Sequence, residues 1–226
     1  MSNGIKVKKR NGRGTESLDL EKMHKMVEDA TTGLAGVSAS QVEIQSGIQF
    51  YDGITTAEIQ EILIKSASDL IDLEHPNYQF VAARLLLFSV RKSLYGRSRE
   101  LPQLEDHIVK CVGQEVYDGD IYSKYSKEDI GKANGYIDHN RDFLFTYAGL
   151  RQVVDKYLVQ DRSTGGVYET PQFMYMMIAL TIFSEYPKEK RLNYVRRYYD
   201  AISKHKLNIP TPIMAGVRTP IRQFAS

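Results

Sequence analysis

The residues most able to do chemistry near the start of the sequence are consecutive cations. Lys8, Lys9 and Arg10 follow one another, Lys6 comes just before them, and the turn-forming pair Asn11-Gly12 comes directly after. Since neighbouring residues on a strand point to opposite faces, these cations do not all serve one site. Two interpretations remain open: an edge strand protected by solvated lysines, or one or two cations that hold a polyphosphate through charge-assisted hydrogen bonds.

Two later features also suit an anion. Thr55-Thr56 opens a predicted helix, and the first N–H groups and the dipole of a helix attract negative charge. Lys92 lies near the end of a long apolar predicted helix and could supply a further cation. Each feature also has an ordinary structural explanation, since a Thr often only caps a helix and a terminal Lys often only complements the dipole.

Hydroxyls are the chemical groups of the C-terminal stretch, Pro210 to Ser226. This stretch has few acid–base groups and no stronger nucleophile, but Thr211 and Ser226 could bind a diphosphate together with backbone N–H groups. The alternative is a structural loop. We predict a strand that begins at Leu207 to Ile209, followed by a rigid and turn-rich tail.

Thiol and metal chemistry find little support in the sequence. Cys111 is the only cysteine, so a disulfide within the chain is impossible and a cysteine-based zinc site would need more thiols. We interpret Cys111 as a buried or incidental thiol, and we expect no metal on this chain. The five histidines are scattered without ligand spacing: His24, His75, His107, His139 and His205.

The composition predicts a soluble globular protein of the cytoplasm. Among 226 residues, 30 Lys plus Arg against 28 Asp plus Glu leave a net charge of +2, too balanced to indicate nucleic acid binding. The N-terminus lacks the apolar core of a signal peptide. The longest apolar run, Phe173 to Phe183, is too short to cross a bilayer, so we interpret it as a buried helix and expect no membrane contact.

The N-terminal region is predicted to be a β-hairpin followed by four helices. The hairpin turns at Asn11-Gly12, and the first three helices have candidate N-caps at Asp19, Ser38 and Thr55. A long apolar helix then runs from about Asn77 to Leu94 and ends at Gly96.

The remainder of the chain is predicted to be mostly helical, so the fold class is mostly α (α+β). The polar segment 97–103 contains Pro102 and reads as a domain boundary. A short hairpin is expected around the turn Asp161 to Gly166. The predicted helices cover about 104–115, 126–139, 144–158, 171–185 and 188–205.

Longer stretches of the sequence resemble the large (alpha) subunit of class I ribonucleotide reductase, most closely the enterobacterial and phage types. Four stretches resemble its ATP-cone domain: VKKRNG, the E-x-x-D-x-x-K pattern at Glu16, Asp19 and Lys22, FYDGITT, and PNYQFVAARLLLFSVRKSLYG. Three more resemble the part that follows: HNRDFLFTYAGLRQ, KYLVQDRSTGGVYETPQF and LNIPTPIMAGVRTPIRQFAS. The resemblance implies an ATP-cone at 1–96, a helical domain at 97–206, and at 207–226 the first strand of an incomplete α/β barrel.

The resemblance also implies that the ATP-cone binds ATP or dATP as an allosteric effector. Val7 would pack on adenine, Glu16 and Asp19 would read the base, and Lys22 would face the ribose. The groups that would bind the phosphates are Lys9, Arg10, Thr56 and Lys92.

Two positions depart from the family pattern. Gln60, one helical turn beyond Thr56, stands where the family often has His, and Gln carries no charge. Asp19 stands where Asn is common, and a carboxylate accepts a hydrogen bond but donates none. These departures weaken the expectation of tight dATP inhibition more than that of nucleotide binding.

For the substrate, the resemblance implies a wall of the ribonucleoside diphosphate pocket at Thr211 and Ser226. The next residue of the family is a redox-active Cys, so the catalytic residues would all follow this chain and none lies on it. We therefore expect no ribonucleotide reduction by this chain alone. The implied partners are the remainder of the large subunit, a second large subunit in a dimer, and a radical-generating small subunit with a di-metal centre.

Several origins of such a chain remain open. It could be a fragment of a longer product, a naturally split subunit, or the part of a subunit that precedes an intein. Another alternative is a stand-alone nucleotide-sensing regulator without catalytic activity, although the Cys pairs of a zinc ribbon are missing. A decayed remnant is disfavoured by the intact capping patterns.

Overall fold

A computed structural model describes residues 5–9, 14–96 and 100–222. It divides the chain into two compact units, one of Met1–Ser89 with Phe145–Arg151 and the other of Val90–Leu144 with Gln152–Ser226. The predicted mostly helical class with an N-terminal hairpin is confirmed. Arg10, the turn Asn11-Gly12 and Ser226 lie outside the described residues.

The first unit begins with the predicted hairpin. Strands β1 (Lys6–Lys8) and β2 (Thr15–Ser17) are antiparallel. The segment before the third helix lies beside β1, because the Lys8 amide donates to the carbonyl of Ile54 at 2.8 Å and the Gly53 amide donates to that of Lys6 at 2.8 Å. Gly53 adopts a φ of 84°, a left-handed conformation that glycine adopts without steric cost.

The four predicted helices of the N-terminal region are present with their predicted starts. Asp19 and Ser38 accept hydrogen bonds from the amides three residues on, and Thr55 forms a complete capping box with Glu58. The last helix ends directly before Gly96, whose φ is 73°. The helices are α1 (Leu20–Thr31), α2 (Ala39–Gly47), α3 (Thr56–Asp69) and α4 (Tyr78–Tyr95).

Side chains of these helices form the apolar core of the first unit. The Tyr78 hydroxyl lies at its edge, where it donates to Gln41 Oε1 at 2.5 Å and accepts from the Ser38 amide at 3.0 Å, so α4 is fixed to the start of α2. Fully buried core residues include Val27, Ala30, Val42, Ile54, Leu63, Ala67, Val81 and Ala82.

Helices also make up most of the second unit. The predicted helix 126–139 ends earlier than expected, at Asn134, and a 3-10 helix follows at His139–Leu144. The short helix at Ile121–Lys124 was not predicted from the sequence. The α-helices are α5 (Leu104–Gly113), α6 (Ile121–Lys124), α7 (Lys127–Asn134), α8 (Tyr147–Lys156, which begins in the first unit), α9 (Pro171–Ile182), α10 (Lys188–Ser203) and α11 (Thr211–Gly216).

Helix α9 is the buried centre of the second unit. All its residues from Pro171 to Leu180 are buried, which confirms the interpretation of the apolar run as a core helix. Pro171 stands in the first turn, where its missing N–H costs no hydrogen bond. Within the ranges that the structure describes, no helix combines the length and the apolar character that crossing a membrane requires.

Two irregular segments complete the second unit. The expected short hairpin is present as a single antiparallel bridge between Gln160 and Val167. The prediction of a strand beginning at Leu207 was wrong. Residues 207–209 form no strand, and helix α11 begins at Thr211. Pro212 in the first turn of α11 presets a helical φ and removes the N–H that a strand ladder would use, which favours the helix start.

Candidate functional site

The start of α3 is held against β1 and is rigidly capped. Lys8 pairs with the N-cap residue Thr55 in a parallel bridge. The Glu58 carboxylate accepts from the Thr55 amide at 2.8 Å and from the Tyr51 hydroxyl at 2.9 Å. Hydrogen bonds from Thr55, then from Tyr51, and the charge of Lys8 lower the pKa of Glu58. Thr56, the first residue of the helix, is half-buried beside this junction.

Four of the predicted site residues form one exposed cluster, which we call the charged patch: Lys9, Glu16, Asp19 and Lys22. Lys9 Nζ lies 3.1 Å from Glu16 Oε2, and Lys22 Nζ lies 3.0 Å from Asp19 Oδ2. The two pairs are close to each other, since the charge of Glu16 also acts on Lys22. Two cations and two carboxylates make the patch formally neutral.

Hydrogen bonding shifts the pKa values of Asp19 and Lys22, one of the two pairs in the charged patch. The backbone amide of Lys22 is the main cause that lowers the pKa of Asp19, and the Asp19 carboxylate in turn raises the pKa of Lys22. Both groups are exposed, so the pair adds little to folding stability. The pair of Asp19 and Lys22 therefore presents an ionised acceptor and an ionised donor to the surface.

Val7 and Gln60 lie on the buried side of the same unit. Val7 is only 3% exposed and pairs with Glu16 across the hairpin, with its side chain on the opposite face from Lys6 and Lys8. Gln60 is 4% exposed, and its Nε2 donates to Met26 Sδ on α1 at 3.7 Å. Gln60 thus joins α3 to α1 from within the core.

The other predicted site residues are distributed as follows. Lys92 is exposed on the last turn of α4 and belongs to the second unit. Thr211 is exposed at the start of α11. Arg10 and Ser226 are not among the described residues.

A buried ion pair that we did not predict from the sequence lies in the second unit. Glu169 and Arg218 are both fully buried, with Arg218 Nε 2.9 Å from Glu169 Oε2. Burial alone would lower the pKa of Arg218, but the Glu169 carboxylate raises it, so the guanidinium stays charged. The only sequence signal was two charged residues close to apolar or proline-rich segments, and that pattern does not identify a partner 49 positions away.

Backbone groups and one phenol form hydrogen bonds with the two side chains of this ion pair. Glu169 accepts from the Tyr117 hydroxyl at 2.5 Å and from the Val159 amide at 2.7 Å. Arg218 donates from Nη2 to the Tyr157 carbonyl at 2.9 Å and from Nη1 to the Met214 carbonyl at 2.5 Å. The pair therefore connects the segment that follows α8 with α11.

Cys111 and His107 lie close to this pair, and both side chains are uncharged near pH 7. Cys111 is fully buried, as expected, with Sγ 3.7 Å from His107 Nε2. Burial lowers the pKa of His107 to about 4 and raises that of Cys111 to about 12, so both are neutral near pH 7. Over residues 5–9, 14–96 and 100–222, no group of three or more His, Cys, Asp or Glu is placed to hold a metal ion.

Comparison with protein families divides the chain into two matched parts. The profile of the ATP cone domain matches residues 5–93, which include the charged patch and α3. The profile described as "Ribonucleotide reductase, all-alpha domain" matches residues 143–222, which include Thr211 and the buried ion pair.

Individual relatives match over the whole chain or nearly so. "Ribonucleoside-diphosphate reductase 1 subunit alpha" of Escherichia coli (strain K12) is 50% identical over 226 residues, which is 100% of this chain and 29% of the relative. The alpha subunit of Haemophilus influenzae is 49% identical over 226 residues, 100% of this chain and 30% of the relative. That of Enterobacteria phage T4 is 44% identical over 214 residues, 94% of this chain and 28% of the relative.

This chain thus spans less than a third of the length of these curated relatives, all of which are oxidoreductase subunits by name. The matches run through both units, and the hairpin, the capped helices and the charged patch lie in the part that matches the ATP cone. The chain belongs to the class I ribonucleotide reductase large-subunit family and corresponds to the N-terminal portion of that subunit, with its ATP-cone domain.

Proposed function

We propose that the charged patch and the adjoining start of α3 bind ATP or dATP as an allosteric effector of a ribonucleoside-diphosphate reductase. The observation that carries this proposal is the pairing of β1 with the segment before α3, which holds Lys8, the residue directly before Lys9, beside the N-terminus of a capped helix. Helix N-termini and nearby cations are the usual components of a phosphate site. The ATP-cone match over residues 5–93 supports the same assignment.

The charged patch fits an adenine nucleotide by its donor and acceptor inventory. Glu16 and Asp19 are ionised acceptors suited to the amino group of adenine, and Lys22 is a donor suited to the ribose. Val7 would support the base from the hairpin, and Gln60 would contribute an uncharged amide one turn into α3. The phosphates would be held by Lys9, Arg10, Thr56 and Lys92.

Nucleotide binding at this site would exchange the ion-pair partner of Lys9. Lys9 is already paired with Glu16 at 3.1 Å, so a phosphate replaces one anionic partner of Lys9 with another. The release of Glu16 then makes its carboxylate available to the base. Because phosphate binding by Lys9 frees Glu16 for the base, the site would favour nucleotides that carry both adenine and phosphates.

For the subunit as a whole, we infer that this chain contributes one wall of a substrate pocket for ribonucleoside diphosphates. Thr211 is exposed and would form that wall together with Ser226. The catalytic cysteines would come from residues beyond this chain, which is why we expect no turnover from the chain alone. The expected partners are the rest of the large subunit, a second large subunit and, in the cytoplasm, a small subunit whose di-metal centre generates the radical.

The functional domains that follow from this proposal are 1–96 for the effector, 97–206 for the helical region and 207–226 for the start of the catalytic part. The compact units divide within α4, at Ser89 and Val90, so that helix belongs to both.

Calorimetric titration of the chain with ATP and dATP tests the effector site. We expect binding of at least one nucleotide, and we expect the double variant Lys9→Ala with Arg10→Ala to weaken it by about tenfold or more, because two charge-assisted phosphate contacts are lost. The matched control is Lys25→Ala, an exposed lysine on α1 outside the charged patch, which should bind as the unaltered chain does. Equal affinity in the double variant, with an unchanged circular dichroism spectrum, would exclude this site.

A further inference from the structure

We propose that a polar cavity in the second unit binds a small oxyanion of the phosphate type. The cavity has a volume of about 240 Å³. This inference does not rest on the proposed effector and substrate roles. The polar side chains that line the cavity are Arg91, Gln103, Asn134, His139 and Asn140.

Arg91 forms a buried wall of the polar cavity. It lies near the end of α4 and is only 5% exposed, and its Nη2 donates to the His139 carbonyl at 2.9 Å and to Asp142 Oδ2 at 2.8 Å. These bonds hold the guanidinium against the 3-10 helix that carries His139 and Asn140. The charged group is therefore in place before a ligand binds, which reduces the entropic cost of binding.

Asn134 fixes a second wall of the polar cavity. Its Oδ1 accepts from the Leu104 amide at 2.8 Å, and its Nδ2 donates to Gln103 Oε1 at 2.6 Å. Since the side-chain oxygen of Gln103 is engaged by Asn134, the NH₂ group of Gln103 is the part of this amide that can donate to a ligand. The last residue of α7 thus orients a donor at the start of α5.

Two buried nitrogen atoms of the side chains that line the cavity have no hydrogen-bond partner among the described residues. They are Arg91 Nε and His139 Nδ1. Buried polar atoms are rarely left unpaired, because their lost hydration is then not compensated. Burial lowers the pKa of His139 to about 4, so its ring is neutral near pH 7 and has one N–H to donate. An oxyanion in the cavity offers acceptor oxygens to both side chains.

The charges around the polar cavity favour an anion over a cation. Among the described residues that line it, Arg91 is the only charged side chain and none is acidic. Asp142, which pairs with Arg91, is fully buried and does not line the cavity. Asp138, whose charge acts on His139, does not line it either. A bound anion therefore meets one cation and several neutral donors.

The N-terminus of α5 adds to this preference. Gln103 is the residue directly before the helix, and its side chain forms no capping hydrogen bond. The first N–H groups and the dipole of a helix attract negative charge. Glu105 and Asp106 lie in the first turn of α5, but neither lines the cavity.

The size of the polar cavity and its donors indicate the ligand class. Pockets that enclose drug-sized ligands measure roughly 300–1,000 Å³, so this smaller cavity suits a small ion better than a whole nucleotide. A guanidinium, an imidazole and two carboxamides match a tetrahedral oxyanion, which carries several acceptor oxygens. Phosphate, either as the free ion or as the end of a phosphate ester, has this chemistry.

The test is a titration of the full chain with sodium phosphate, followed by heteronuclear NMR of the arginine Nε–H and side-chain amide resonances. We expect saturable shifts of the resonances of Arg91, Gln103 and Asn140. The exposed residues allow two variants, Asn140→Asp and Gln103→Glu, that replace a donor amide with a carboxylate of nearly the same shape. Each should weaken the affinity for phosphate by about tenfold, because a donor is lost and a like charge is added. The matched control, Asn193→Asp, adds the same charge at an exposed position of α10 and should leave the affinity unchanged.

Several results would overturn the oxyanion site. One is the absence of saturable shifts at these resonances in a chain with a folded circular dichroism spectrum. Another is an unchanged affinity in both cavity variants, or an equal loss in Asn193→Asp, which would indicate general charge repulsion. Equal shifts with sodium chloride at the same ionic strength would show that the cavity does not select an oxyanion.

A parallel titration with glycerol phosphate distinguishes the two sources of the phosphate group. Tighter binding of this ester than of inorganic phosphate supports the site and assigns it to the phosphate of an organic ligand. Binding of inorganic phosphate that is as tight or tighter supports the site and assigns it to the free ion.

Discussion

At the scale of single residues, two kinds of charged pair differ sharply in what they do. The pairs of the charged patch, Lys9 with Glu16 and Lys22 with Asp19, are exposed, so breaking them to bind a ligand costs little free energy. The pair of Glu169 and Arg218 is fully buried, and neither partner can lose the other without leaving a charge in the core. The exposed pairs are therefore suited to binding a ligand, and the buried pair is suited to holding the elements around it in position.

Removal of one partner of the buried pair should therefore be costly. We expect Glu169→Ala to lower the free energy of unfolding by about 3–5 kcal/mol, because Arg218 is then an uncompensated buried charge. Denaturant unfolding of the chain, followed by circular dichroism, measures the change. The control is Glu128→Ala, which removes the exposed pair with Lys132 and should leave the free energy of unfolding unchanged. A loss as small as that of the control would mean that the buried charge is not isolated.

At the scale of elements, two capping boxes among the described residues can be compared with each other. Thr55 with Glu58 opens α3 beside β1, and Ser126 with Asp129 opens α7 in the second unit. The two boxes have the same chemistry, but only the first adjoins the proposed nucleotide site.

We predict that Thr55→Ala and Ser126→Ala each cost about 1 kcal/mol of stability, as an N-cap usually does. Only Thr55→Ala should also weaken ATP or dATP binding, because it loosens the helix start that faces the phosphates. Unfolding and calorimetry on the same two variants check both statements. A loss of nucleotide affinity in Ser126→Ala equal to that in Thr55→Ala would show that the effect is general destabilisation.

The elements also show what a single sequence can predict. The caps at Asp19, Ser38 and Thr55 were predicted correctly, because a cap depends on residues three positions apart. The strand expected at Leu207 depended on a distant partner, and local proline chemistry favoured a helix at Thr211. For the same reason the contacts of Glu169 with Arg218 were missed, since their residues are far apart in the chain.

At the scale of the whole molecule, two regions of the chain match two different domain families. Residues 5–93 match the ATP cone, and residues 143–222 match the reductase all-alpha domain. The resemblance noted from the sequence predicts an ATP-cone at 1–96, a helical domain at 97–206 and the start of the catalytic barrel at 207–226, and these bounds stay a prediction. The chain spans 29% of the Escherichia coli relative. In the complete enzyme we expect the two sites to be coupled by about 1–3 kcal/mol, and this coupling is reciprocal for binding.

The most direct test of the central claim is calorimetric titration of the isolated segment 1–96 with ATP and dATP, beside the same titration of the full chain. We predict that the segment folds, as judged by circular dichroism, and binds at least one of the two nucleotides. Its affinity should equal that of the full chain, since all the proposed effector residues lie within it. A folded segment that gives no heat with either nucleotide would contradict the assignment of an effector site to the charged patch.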